Sequence, residues 1–280
     1  MIPNTIHYCW FGNNPKPDII KKCIASWHRY CPGWEIFEWN ENNWDVTRFR
    51  YAQEAYEAKK WAFVSDVARL DILYRFGGVY LDTDVEILKE NPFGEYLNNN
   101  IVMCFENGRS IASGLFFATE KGNNICKRFI SSYTCTHYSK KSQLVNTKMN
   151  EPIIREMLPN LKWNGKTQLF ELEDIKILIV GCEEYSQKMK HHGTRSWCDN
   201  LPEYTVSRNN RLKKWLRKPE YFEKLESCNI GKRLLPLYTF VSYDLLDLGP
   251  IFYLKLFYNN HIKPELFTRV DSIRNLPLGV

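Results

Sequence analysis

Two hydrophobic periods take turns along this chain. From Asn4 to Gly12, "NTIHYCWFG" is a short, mostly apolar run closed by glycine, the pattern of a buried strand. "DIIKKCIASWHRYCPG", Asp18 to Gly33, spaces its apolar residues at helical intervals, opens near an acid and closes on Pro-Gly, so it predicts a helix. "WEIFEWN", Trp34 to Asn40, alternates with period two and predicts a second strand. Helical spacing returns from Tyr51 to Gly78, with a break expected around Phe63 to Ser65, Ser65 as a cap and Gly77-Gly78 as terminator. "VYLDTDVEIL", Val79 to Leu88, then reads as one strand.

Further strands are predicted at Asn100–Asn107, Ser113–Thr119 and Asp174–Val180, and a helix at Asn123–Thr134. Strands alternating with helices imply an α/β fold with a mostly parallel sheet covered on both faces and ligands at the carboxyl ends of strands. From Arg208 to Val280 the alternation stops and basic helix mixes with aromatic patches such as "IFYLKLFY". The expected organisation is therefore a catalytic domain over residues 1–206 and a helical subdomain over 207–280.

Composition narrows the class. With 280 residues, 44% hydrophobic and 25% charged, the chain is long enough for a large core and too apolar for disorder. Its nine cysteines, odd in number and without a C-x-x-C pair, argue against a disulfide framework and a zinc site, and favour a reducing cytoplasm. The opening "MIPNTIHYCWFG" lacks the features of a secretory signal, and no apolar run approaches the roughly 18–20 residues of a membrane span.

Candidate chemistry sits in "GGVYLDTDVE", where Asp82 and Asp84 lie two apart. On a strand, residues i and i+2 share a face, so both carboxylates point one way and offer oxygen ligands to a hard ion such as Mg²⁺ or Mn²⁺. A D-x-D pair is also an ordinary solvated turn. Its neighbours shift the balance: Asp66 and Arg69 are one helical turn apart on the preceding helix, where they share a face.

The stretch "AFVSDVARLDILYRFGGVYLDTDVEIL" resembles the sugar-binding segment around the D-x-D motif of family 32 glycosyltransferases. The opening "IPNTIHYCWFG" resembles that family's first strand, and "HHGTRSW" its later His-and-Ser-Trp segment. The resemblance implies a GT-A fold and transfer of a hexose from a nucleotide sugar, such as UDP-galactose, with retention and with Mn²⁺ or Mg²⁺ as cofactor. It implies that Trp10 stacks on the base, that Asp66 and Arg69 bind the donor sugar beside Ser65 and Tyr80, and that Asp82 and Asp84 meet the metal. Ser196 and Trp197 would close over the diphosphate, and His191 or His192 would complete the metal shell.

The basic stretch "RNNRLKKWLRK", residues 208–218, sets Leu212, Trp215 and Leu216 among arginines and lysines as an amphipathic basic helix does. Such a helix suits the anionic surface of a membrane, and equally a packed domain helix with a solvated basic face; no nucleic-acid motif accompanies it. The expectation is a cytoplasmic enzyme, peripheral on the inner face of the plasma membrane, acting on a lipid-linked glycan in surface polysaccharide synthesis. The alternatives are a toxin-like effector that glycosylates a host protein and a nucleotide-sugar binding protein without turnover.

Overall fold

The computed structural model describes residues 1–107, 110–139 and 146–194. The expected 207–280 subdomain, the basic helix at 208–218, Ser196 and Trp197 lie outside the described residues. No described helix is long and apolar enough to cross a membrane, and every described cysteine is a free thiol.

The chain runs β1 (Thr5–Cys9), α1 (Asp18–Tyr30), β2 (Glu35–Trp39), α2 (Arg50–Glu57), α3 (Trp61–Phe76), β3 (Gly78–Tyr80), β4 (Val85–Ile87), β5 (Ile101–Asn107), β6 (Ser110–Ile111) and β7 (Phe117–Thr119). It continues through α4 (Asn124–Thr134), α5 (Asn146–Met157), β8 (Gln168–Leu172), β9 (Ile175–Val180), α6 (Cys182–Lys188) and β10 (Met189–His191). The main sheet has the order β2-β1-β3-β7-β5-β9-β8, with β6 paired to β5, and β10 pairs with β4 in a separate two-stranded ribbon.

The α/β expectation holds, but the sheet is mixed. β1 pairs in parallel with β2 and β3, and β5 with β9, whereas β7 runs antiparallel to both β3 and β5. The connection from β5 to β7, which carries only the short β6, is too short for a parallel crossover. Strand alternation divides the core between the two faces: Ile101, Met103 and Phe105 of β5 join the cluster under α2, α3, α4 and α5, while Val102 and Cys104 join the one on the opposite face, around Trp27 of α1.

The helical stretch breaks at Ala58–Lys60, where Lys59 adopts φ 59°, rather than at Phe63–Ser65. Ser65 consequently lies inside α3 and turns its hydroxyl back to the Trp61 carbonyl (3.1 Å) instead of capping the helix. α3 is buried from Phe63 to Leu73, with Asp66, Arg69 and Asp71 buried among its apolar residues. Asp71, buried in it, accepts from Trp44 Nε1 (3.0 Å) and pairs with Arg48 (3.1 Å), which ties the helix to the loop after β2.

α3 ends as expected on the glycine doublet, with the Gly77 N–H bonded to the Leu73 carbonyl (2.8 Å). Gly78 has φ 97°, and a Cβ there would lie 2.8 Å from the Thr5 carbonyl oxygen and 3.1 Å from His7 Nε2, so glycine is required where β3 enters the sheet against β1. His7 secures this turn: its Nε2 contacts the Gly77 carbonyl (3.0 Å) and its Nδ1 accepts from Trp39 Nε1 (3.2 Å), an arrangement that fixes the neutral Nε2–H tautomer.

Burial pushes the His7 pKa down to about 4, against the smaller opposing pull of the Gly77 carbonyl. The unfolded chain therefore binds a proton between pH 6.5 and 4 that the folded chain refuses, and stability falls as pH drops through that window, by up to about 3 kcal/mol. His7→Gln keeps a donor toward Gly77 without a titratable ring. In denaturant unfolding its stability should lose less than the native chain's from pH 6.5 to 4; parallel profiles would count against the buried neutral imidazole.

Candidate active site

β3 does not run on to Leu88. It stops at Tyr80, and Leu81 to Asp84 form a turn in which the Val85 N–H bonds the Asp82 carbonyl (3.0 Å) before β4 begins. The two aspartates are therefore not brought together by strand alternation, as the sequence pattern suggested, but by this turn. β4 leaves the main sheet to pair with β10, which carries His191 opposite Val85. Ligand atoms of Asp82, Asp84 and His191 all lie within 4.8 Å of one another.

Asp84 is held from three directions. His191 Nε2 lies 3.2 Å from its Oδ1, and its Oδ2 accepts from the Thr194 backbone N–H (2.8 Å) and hydroxyl (2.9 Å). Burial works against the Asp84 charge, but these partners outweigh it and hold the carboxyl well below the usual carboxylate range. Burial disfavours a charged His191 too, yet Asp84, reinforced by the Asp82 and Glu106 charges, lifts the imidazole to about 9. Of the two histidines proposed as ligands, only His191 joins the cluster. His192 follows the end of β10, where successive side chains face opposite ways, and its Nε2 contacts Glu86 Oε2 (2.8 Å) while its backbone N–H bonds the Asp84 carbonyl (2.9 Å).

A second charged group adjoins the first. Arg69, with a 3% exposed side chain, places Nη2 2.9 Å from Asp66 Oδ1 and 3.2 Å from Asp82 Oδ1, so it bridges α3 to the aspartate turn. Its Nε donates to the Ser65 carbonyl (3.1 Å), and its guanidinium lies 4.9 Å from the Tyr80 ring centroid. Tyr80 is itself buried, and its ring packs against Arg69 as a cation–π partner. Burial raises Asp66 to about 6, with Arg69 pulling it down and Asp82 pushing it up. Arg69 Nη1 is buried with no partner among the described residues.

Gly114 closes the flank. Its carbonyl accepts from the Asp82 N–H (2.7 Å), and a Cβ there would lie 2.0 Å from Asp82 Oδ2 and 2.4 Å from Arg69 Nη1. Only a residue without a side chain lets this backbone approach the pair. Trp10 follows β1 as the aspartate turn follows the adjacent parallel β3, so both lie at carboxyl ends of neighbouring strands. Trp10 is half-buried, and its indole N–H donates to the Asn14 carbonyl (2.7 Å). Gly114 fell within the predicted strand Ser113–Thr119, of which only Phe117–Thr119 is strand; Thr194 was missed, although it lay inside the quoted "HHGTRSW" and a hydroxyl between the histidines and Ser-Trp was a usable signal.

Residues 17–103 match the glycosyltransferase sugar-binding region containing the DXD motif. Over 88 residues the chain is 32% identical to lactosylceramide 4-alpha-galactosyltransferase of Rattus norvegicus, an alignment that takes in 31% of this chain and 22% of that protein. Among solved structures, the PaToxG glycosyltransferase aligns with a TM-score of 0.45 at 16% identity, over 56% of this chain and 70% of that one. A glycosyltransferase involved in glycosylation of the major capsid of PBCV-1 aligns with a TM-score of 0.40 at 12% identity, over 68% and 95% of the two chains.

Proposed function

We propose that this chain is a retaining, divalent-metal-dependent glycosyltransferase that moves a hexose from a nucleotide sugar, UDP-galactose in the first instance, to a lipid-linked glycan acceptor in surface polysaccharide synthesis. The DXD-region match implies glycosyltransferase activity, and the relative named for galactosyl transfer to lactosylceramide supports the choice of sugar and of a lipid-linked acceptor. The observation that carries the reading is the convergence of Asp82, Asp84 and His191 beside the buried Asp66–Arg69 pair.

Two carboxylates and one imidazole whose ligand atoms lie within 4.8 Å of one another fit Mn²⁺ or Mg²⁺. Asp84, Asp82 and His191 would hold the ion, which when bound neutralises charge developing on the departing diphosphate. Binding the ion requires a neutral His191, so affinity should weaken as His191 is protonated.

The chain's own groups do the rest. Arg69 offers its unpartnered Nη1 and Asp66 its carboxylate to hydroxyls of the sugar, inside a buried site where such bonds are strong. Gly114 keeps Asp82 and Arg69 in place, and Trp10 gives the base an aromatic face. Ser65 fixes Arg69 through its carbonyl, and Tyr80 supports the guanidinium.

A panel of nucleotide sugars tests the reading, with sugar release followed with and without Mn²⁺. UDP-galactose should be hydrolysed, EDTA should stop the reaction and added Mn²⁺ should restore it. No release from any donor would leave a binding protein without turnover, and transfer to protein in preference to a lipid-linked glycan would favour a toxin-like effector.

A further inference from the structure

Asn146 and Asn150 lie one helical turn apart on α5 and share a face, with Cβ atoms about 5–6 Å apart. Asn146 Nδ2 donates to Asp66 Oδ1 (3.1 Å), and Asn150 Nδ2 donates to the Ser113 hydroxyl (3.3 Å). Ser113 precedes Gly114, whose backbone is packed directly against Asp82 and Arg69. Both amides therefore stand one contact away from the Arg69–Asp82 pair.

Each amide has used its donor end, and each leaves Oδ1 buried with no partner among the described residues. Asn150 is only 1% exposed. At Asn146 the chemistry fixes the orientation: an ionised Asp66 only accepts, so the nitrogen must face it and the oxygen must face elsewhere. Arg69, which shares Asp66 Oδ1 with Asn146, likewise has a buried donor, Nη1, without an acceptor among the described residues. Unpaired buried acceptors linked through Asp66 and the Ser113–Gly114 turn to an unpaired buried donor are complementary to a group that both donates and accepts, and a hydroxyl is that group. The spacing of the two amides is close to the breadth of a hexose with its hydroxyls.

We infer that Asn146 and Asn150 form a second hydroxyl-reading wall of the donor-sugar subsite, beside Asp66 and Arg69, and select which hexose is accepted. The inference rests on the glycosyl-transfer reading and extends it to residues that neither the D-x-D pattern nor the family match singles out, since residues 17–103 end well before α5. The competing role is purely structural, with Asn150 holding the Ser113–Gly114 turn against α5.

Calorimetric binding to the full chain with Mn²⁺ separates the two roles, using UDP, UDP-galactose and its monodeoxy analogues as probes. Asn150→Leu should bind UDP as the native chain does and UDP-galactose about 10-fold more weakly, the size expected for an unmade buried hydrogen bond. At least one monodeoxy analogue should lose about 10-fold on the native chain and nothing further on the variant. Asn150→Asp, which keeps the acceptor, should recover that discrimination, and Asn146→Leu should repeat the pattern with a different hydroxyl. UDP and UDP-galactose weakening together would overturn the inference in favour of the structural role. A flat monodeoxy series on the native chain would overturn it whether or not any variant folds. A native chain that does not bind UDP at all would bring down the glycosyl-transfer reading itself, and this inference with it.

Discussion

Asp84→Asn is expected to lower kcat/KM for Mn²⁺-dependent hydrolysis of UDP-galactose by about 10³-fold or more, with the chain still folded. Asp84 is the member of the cluster with the most ordered surroundings, fixed by His191 and by both the backbone and the hydroxyl of Thr194. The amide has nearly the same shape and keeps one acceptor for Thr194, so the stability cost should be only that of weakened charge-assisted hydrogen bonds, about 1–3 kcal/mol. Turnover and thermal unfolding of the same preparation check both halves. Activity within 10-fold of the native chain would take Asp84 out of the site.

Arg69→Leu should have the largest effect on stability. Arg69 neutralises Asp66 and Asp82 together, and removing it leaves the buried Asp66 carboxylate without its countercharge and beside Asp82. Breaking a buried pair in this way costs about 3–5 kcal/mol. The loss has a pH signature. Burial already raises Asp66 to about 6, and the Arg69 charge is the main force opposing that rise. Without it the folded-state pKa climbs further above the unfolded value near 3.9. A carboxyl raised in the folded state is penalised above its folded pKa and relieved as pH falls toward the unfolded one. The gap in stability between native chain and variant should therefore be widest at pH 7 and narrow toward pH 4.5 in denaturant titrations. A gap independent of pH would show that Arg69 acts through packing alone.

Much of this arrangement was legible in the chain, for reasons that differ by element. β1, α1, β2, β5, α4 and β9 have local periodicity strong enough to locate them, and the glycine doublet marks the end of α3 because only glycine tolerates φ of 70° and 97° there. The aspartates were legible as a pair, but not the means of their pairing. A run as apolar as Val79–Leu88 reads as one strand, and nothing local reveals that β4 leaves the sheet to meet β10 from far along the chain. The choice between His191 and His192 depends on the same long-range pairing, since one residue of register exchanges their faces. α5 escaped notice because Pro152 lies within it and argues against a helix, which hid the shared face of Asn146 and Asn150. The run of buried charges in α3 makes sense only once Trp44, Arg48 and the aspartate turn are folded around it.

The central claim is that the turn after β3 and the end of β10 together hold a cation against a nucleoside diphosphate. Anomalous diffraction at the manganese edge, from crystals grown with MnCl₂ and UDP, tests it most directly. A single strong peak is expected in contact with Asp84, Asp82 and His191 and with the diphosphate oxygens, with His192 still turned to Glu86. Manganese bound elsewhere, or UDP bound with those three side chains free of any ion, would contradict it.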